Sequence, residues 1–151
     1  MPVDIEKFDR AYHERSIDLS QIKQMRRIAA MHLGGVIIEC LIKSIIVKYY
    51  GINQRNRITE WIATRNIPRS GRNIIQNPSH RLFQGIQLIT PLFNRVDTNI
   101  IAFLNVLQRP NGIEYIDLRY HSGNITNQQY EDWLKAYTAI RAWLIKNLKT
   151  M

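Results

Sequence analysis

Cysteine occurs once in the 151 residues, as Cys40. No internal disulfide can form, and a reducing, cytoplasmic location is expected. Metal-ligand spacing is missing too. His13, His32, His80 and His121 stand apart, and neither HExxH nor CxxC occurs, so no metal and no cofactor are expected. There is no GxSxG elbow, and SGRN at 70–73 is not a phosphate-binding loop. Cys40 lies on an apolar helical face, where a cysteine serves as a small hydrophobe rather than a nucleophile. In the most apolar part of the chain the longest uncharged run is Ile28–Ile38, short of the roughly 20 residues that span a bilayer. The first ten residues, MPVDIEKFDR, are too charged for a secretory signal, and no membrane association is expected. Repeats and low-complexity segments are absent.

Acids are scarce as well. Twelve Asp and Glu face 21 Lys and Arg, a formal net charge of +9. Such an excess attracts polyanions, nucleic acid first and an anionic surface second. The same charge also serves plain solubility. Apolar residues make up 45% and charged residues 22%, the balance of a folded globular chain. The length suits a single domain over residues 1–151.

The most apolar stretch is 28–47, IAAMHLGGVIIECLIKSIIV. Ile22, Met25, Ala29, Leu33, Val36, Cys40 and Val47 recur at helical spacing. A long helix is predicted from about 19 to 50, started by Asp18 or Ser20 with Gln21 in a capping box, and stopped by Gly51. Gly34 and Gly35 inside it predict a close approach by another element, within the bundle or at a dimer seam. Glu39 and Lys43 lie one turn apart among apolar neighbours. They read as a polar anchor for another segment, with Arg119 or His80 as the partner.

Before this helix, residues 4–15 predict a short helix capped by Asp4, with Ile5, Phe8 and Tyr12 inward. After it comes a basic connector, 52–79, with Arg55, Arg57, Arg65, Arg69 and Arg72 against the single acid Glu60. These arginines are the candidate nucleic-acid contacts. A short helix is predicted around 57–65, then loop. Ser79 is predicted to cap a helix that stops near Pro91. Asp97 or Thr98 starts another through about Gln108, with Ile100, Ile101, Leu104 and Leu107 inward. RPNG at 109–112 predicts a turn. Residues 113–125 predict an ordered loop. Thr126, with Gln129, caps a last helix striped by Tyr130, Trp133, Leu134, Tyr137, Ile140, Trp143 (or Leu144) and Leu148. The sum is an all-α, up-and-down bundle of four or five helices.

Arg119-Tyr120-His121 is the second polar cluster. An arginine can grip phosphate, a tyrosine can stack on a base and a histidine can move a proton. The alternative is that Arg119 and Tyr120 tie their loop to the bundle while His121 is simply exposed.

AAMHLGGVIIECLIKSII, SHRLFQGIQL, and LRYHSG before QQYEDWLKAYTAIRAWL stand in the order of motifs found in HEPN domains, and the chain resembles that family over about residues 17–148. The carrying positions are Ala29, Ala30, His32, Leu33, Gly35, Glu39, Cys40 and Lys43, then His80, then Arg119 and Tyr120. The resemblance implies a helical bundle, commonly a homodimer, linked to RNA or a nucleotide. It also implies a toxin-antitoxin or defence setting, with a nucleotidyltransferase or antitoxin as partner. Many members are metal-independent ribonucleases that use an arginine, four to six residues, then a histidine. Here Arg27 and His32 have four residues between them, and Arg26 and His32 five, but at the start of the long helix rather than near the C-terminal part. Arg119 and His121 have only one, and Arg72 and His80 have seven. The expected function is therefore binding of nucleic acid, a nucleotide or a partner protein. The alternatives are a divergent ribonuclease using Arg119 with His121 or His80, and a dimerisation scaffold without catalysis.

Overall fold

The computed structural model describes residues 8–22, 26–51, 59–62, 73–121 and 124–150. The architecture is all-α. Six α-helices are described: α1 (Phe8–Ile22), α2 (Arg27–Tyr50), α3 (Leu82–Gln87), α4 (Thr90–Phe93), α5 (Thr98–Gln108) and α6 (Asn127–Leu148). Two 3-10 segments, Pro110–Gly112 and Tyr115–Tyr120, lie between α5 and α6. α2 is the axis, touching α1, α3, α5, α6 and the second 3-10 segment.

Enclosure on so many sides changes the reading of α2. Ala29, Leu33, Val36 and Val47, placed on the inward stripe, are only partly buried. Ala30, Met31, Ile37, Ile38, Leu41, Ile42, Ile45 and Ile46 are the residues fully covered. A helix covered nearly all round has no single stripe to find. It is also long and apolar enough to cross a membrane by length and composition, yet 67% of its apolar window is buried within the fold.

The first boundary moves. Asp18 and Ser20 fall inside α1, not at the start of α2, and the helical path breaks at Arg26, whose backbone is extended. The break lets α1 fold back along α2, which one helix continuing from 19 to 50 could not do. Gly51 ends α2 in the left-handed region, φ 62°, as its position predicts. Asp4 and Ile5 lie outside the described residues.

Where a helix is expected around 57–65, the described residues Thr59–Ile62 form a strand. β1 (Thr59–Ile62) pairs in parallel with β2 (Asn73–Gln76), Thr59 opposite Asn73. Threonine, tryptophan and isoleucine favour extended backbone, which outweighs a four-residue helical spacing. Ser79 is not a cap either. Its φ is 58°, and α3 starts after Arg81. Pro91 starts α4 instead of ending α3, because its missing N–H is not needed in a first turn.

The later elements match their signals. Asp97 caps α5 by accepting from Ile100 N at 2.8 Å. Thr126 and Gln129 form the capping box of α6. On α5, Ile100, Leu104 and Leu107 are buried, but Ile101 is 40% exposed. On α6 it is Leu144, not Trp143, that is fully covered. Tyr130, Trp133 and Tyr137 stack along α6, with ring planes 24° and 10° apart.

The glycine pair is explained within the chain. A Cβ on Gly34 would collide with the Trp133 indole, and one on Gly35 with the Tyr115 ring. Both glycines are thus seats for aromatic rings of the same molecule.

Candidate functional site

Glu39 is the centre of the polar interior. Lys43 Nζ donates to its Oε2 at 2.9 Å, one helical turn away. Its Oε1 receives His80 Nδ1 at 2.6 Å and the Tyr115 hydroxyl. The Glu39 and Lys43 side chains are only 12% and 7% exposed. A carboxylate so far out of water needs several donors, and here it has three. Lys43 Nζ also lies 5.6 Å from the centre of the Phe8 ring, a cation–π contact. Tyr115 pays back the burial with its own chemistry: desolvation, then the Glu39 charge, pushes its phenol well above the ordinary range. Cys40, beside Glu39, has its thiol pushed up to about 11 by burial and then by the Glu39 charge. At neutral pH it is a thiol, not a thiolate nucleophile.

His80 is held from three directions. Its ring meets Glu39, and its edge faces the Tyr115 ring, centroids 6.4 Å apart. Its carbonyl accepts from Gln108 Nε2 at 2.9 Å, while Gln108 Oε1 accepts from Leu82 N at 2.8 Å. Just before it, Ser79 takes positive φ and donates its N–H to Asn77 Oδ1 at 2.8 Å. A non-glycine residue in that region is strained and persists only where neighbours over-determine it. The His80 side chain nevertheless remains 47% exposed.

The predicted partners of Glu39 separate here. His80 reaches it, and Arg119 does not. Arg119 is exposed and its guanidinium sits 4.8 Å from the centre of the Tyr120 ring. The segment before α6 is anchored by Tyr115, not by Arg119-Tyr120. Tyr120 is 77% exposed, and His121 is exposed. Arg27 and His32 both have structural tasks. Arg27 donates to the Ile125 carbonyl at 2.9 Å and to Asn127, and His32 Nδ1 meets the Tyr115 carbonyl at 2.9 Å. Arg55, Arg57, Arg65, Arg69 and Arg72 lie outside the described residues. Tyr115 and Gln108 are the site residues that sequence patterns passed over.

No group of three or more metal-ligating side chains forms among the described residues. A separate cleft of about 270 Å³ between α1 and α6 is lined by Ser16, Leu19, Trp133, Tyr137 and Arg141, among others, and includes neither Glu39 nor His80. The chain matches no family model, no curated protein and no solved structure in sequence or fold comparisons.

Proposed function

We propose that this chain is a HEPN-like bundle that binds nucleic acid, RNA in particular, without depending on catalysis. The observation that carries the reading is the exposed Arg119-Tyr120 pair. A tyrosine ring left 77% exposed beside a guanidinium, in a chain of charge +9, is a surface on which a base can stack and a phosphate can rest. The HEPN resemblance supports the same reading, and with it a homodimer and a nucleotidyltransferase or antitoxin partner. The test is RNA binding across a salt series. Affinity is expected to fall linearly on logarithmic axes as salt rises. Tyr120→Ala should weaken binding by about 1–3 kcal/mol, the usual worth of one stacked base. Neutralising Arg65, Arg69 and Arg72 should flatten the salt slope. If the protein binds neither RNA, DNA nor nucleotides at low salt, it is a scaffold and the proposal fails.

A second reading, a divergent metal-independent ribonuclease, draws on Arg119 and His121 being exposed two positions apart and on His80 being oriented by Glu39. Arg119 would hold the scissile phosphate, and His121 or His80 would move the proton. RNA cutting that survives EDTA and is lost in Arg119→Ala and His121→Ala, or in His80→Ala, would favour it over simple binding.

A further inference from the structure

The four histidines differ in what holds their rings. His13 lies edge-on to Tyr12, centroids 5.1 Å apart, and is exposed. His32 is partly buried with Nδ1 on a backbone carbonyl. His121 is exposed, with no side-chain hydrogen bond described. Among the described residues, His80 alone has its ring on a carboxylate. A carboxylate can only accept, so Nδ1 carries a proton, and in the neutral ring the lone pair lies on Nε2. Nε2 has no hydrogen bond among the described residues, and almost half of the side chain meets solvent. His80 is thus held in one place, with Nδ1 on the carboxylate and Nε2 as the open nitrogen.

We propose that His80 Nε2 is a phosphoryl-accepting nucleophile, supplied by a small acyl phosphate. The Nε2 lone pair attacks phosphorus. The N–P bond forms as the bond from phosphorus to the acyl oxygen breaks, and the carboxylic acid anion leaves with that electron pair. No oxidant or reductant is needed. The ring becomes a phosphoimidazolium, and Nδ1 keeps its proton. Glu39 Oε1 already lies 2.6 Å from that nitrogen, facing the charge that develops on the ring. Lys43 occupies the other carboxylate oxygen at 2.9 Å, so the incoming phosphoryl group does not meet a bare anion. Arg81, the next residue, is exposed and makes one described side-chain hydrogen bond, to Gln84 at 3.3 Å, leaving guanidinium donors for phosphoryl oxygens. The positive φ of Ser79 and the Gln108 clamp on the His80 carbonyl keep the nucleophile in place without help from a ligand.

The test uses the full chain with acetyl phosphate as the probe, read by phosphorus NMR and by peptide mass spectrometry. The folded protein is expected to be phosphorylated at His80 ahead of His13, His32 and His121, on Nε2, with an acid-labile, alkali-stable adduct. In urea His80 should lose its lead over His121, because Glu39 no longer orients it. Glu39→Gln, where it folds, should slow labelling by about tenfold or more, as losing the carboxylate partner of a histidine does elsewhere. Equal labelling of His80 and His121 in the folded state, attachment at Nδ1, or no adduct on His80 would overturn the proposal. None of these outcomes bears on RNA affinity, so the two proposals fail separately.

Discussion

A single buried carboxylate decides the chemistry at the level of residues. With Glu39 removed, Lys43 is left charged and almost covered, and the Tyr115 hydroxyl loses its acceptor. Glu39→Ala is expected to lower stability by ~3 kcal/mol or more, as breaking a buried pair does, measured by urea denaturation. An unshifted midpoint would mean that the pair carries no such load. The Cys40 thiol sets a pH window. Its ordinary value is 9.0 and its folded value about 11, so the unfolded chain releases this proton first. Stability from this group is therefore complete below pH 9 and is lost as pH rises toward 11. Thermal denaturation of Cys40→Ala should show a shallower fall across that window than the parent. Lys43 and His80 were legible as partners of Glu39, because a mid-helix acid among isoleucines demands donors. Tyr115 and Gln108 were not. Each acts across a long stretch of chain, 76 residues to Glu39 and 26 to Leu82, and no local spacing reports that.

For elements, legibility followed the strength of local chemistry. Helices with a side-chain cap, α5 and α6, began where Asp97 and Thr126 indicated. Helices without one, α2 and α3, did not begin at the polar residues that offered themselves. Their starts are set by packing, which leaves little trace in a window of ten residues. The glycine seats on α2 give a prediction at this scale. Gly35→Ala would force a methyl into the Tyr115 ring, a close-packed overlap worth about 1–3 kcal/mol of destabilisation. The helical preference of alanine returns only ~1 kcal/mol of that. A melting temperature that rose instead would show that Tyr115 can retreat from α2. Gly112 is the contrast. A Cβ there meets nothing within 4 Å, and only its φ of 79° resists a side chain. Gly112→Ala should then cost no more than roughly 1–2 kcal/mol, the strain of a left-handed residue.

Across the whole molecule, α2 is the most enclosed element, with 67% of its apolar window covered by the elements packed around it. The sequence-level expectation of an all-α bundle needed only its helical periodicities and short connections. The strand pair β1–β2 escaped because parallel partners 14 positions apart share no turn signal. Function was less legible than fold, since charge summed over a chain does not locate a surface.

The Glu39 hub has a consequence in time. It joins segments 41 and 76 residues apart, so large loops must close before any of its bonds form. The α1–α2 hairpin, by contrast, is local. The hub is therefore expected to lock late, after the rate-limiting step of folding. Tyr115→Phe should leave the refolding rate nearly unchanged and speed unfolding, as stopped-flow chevrons would show. A refolding limb slowed in proportion to the lost stability would place the hub in the folding nucleus instead. On this account, the residues that hold His80 in place act chiefly as a latch on the native state, setting how long the molecule stays folded rather than how quickly it gets there.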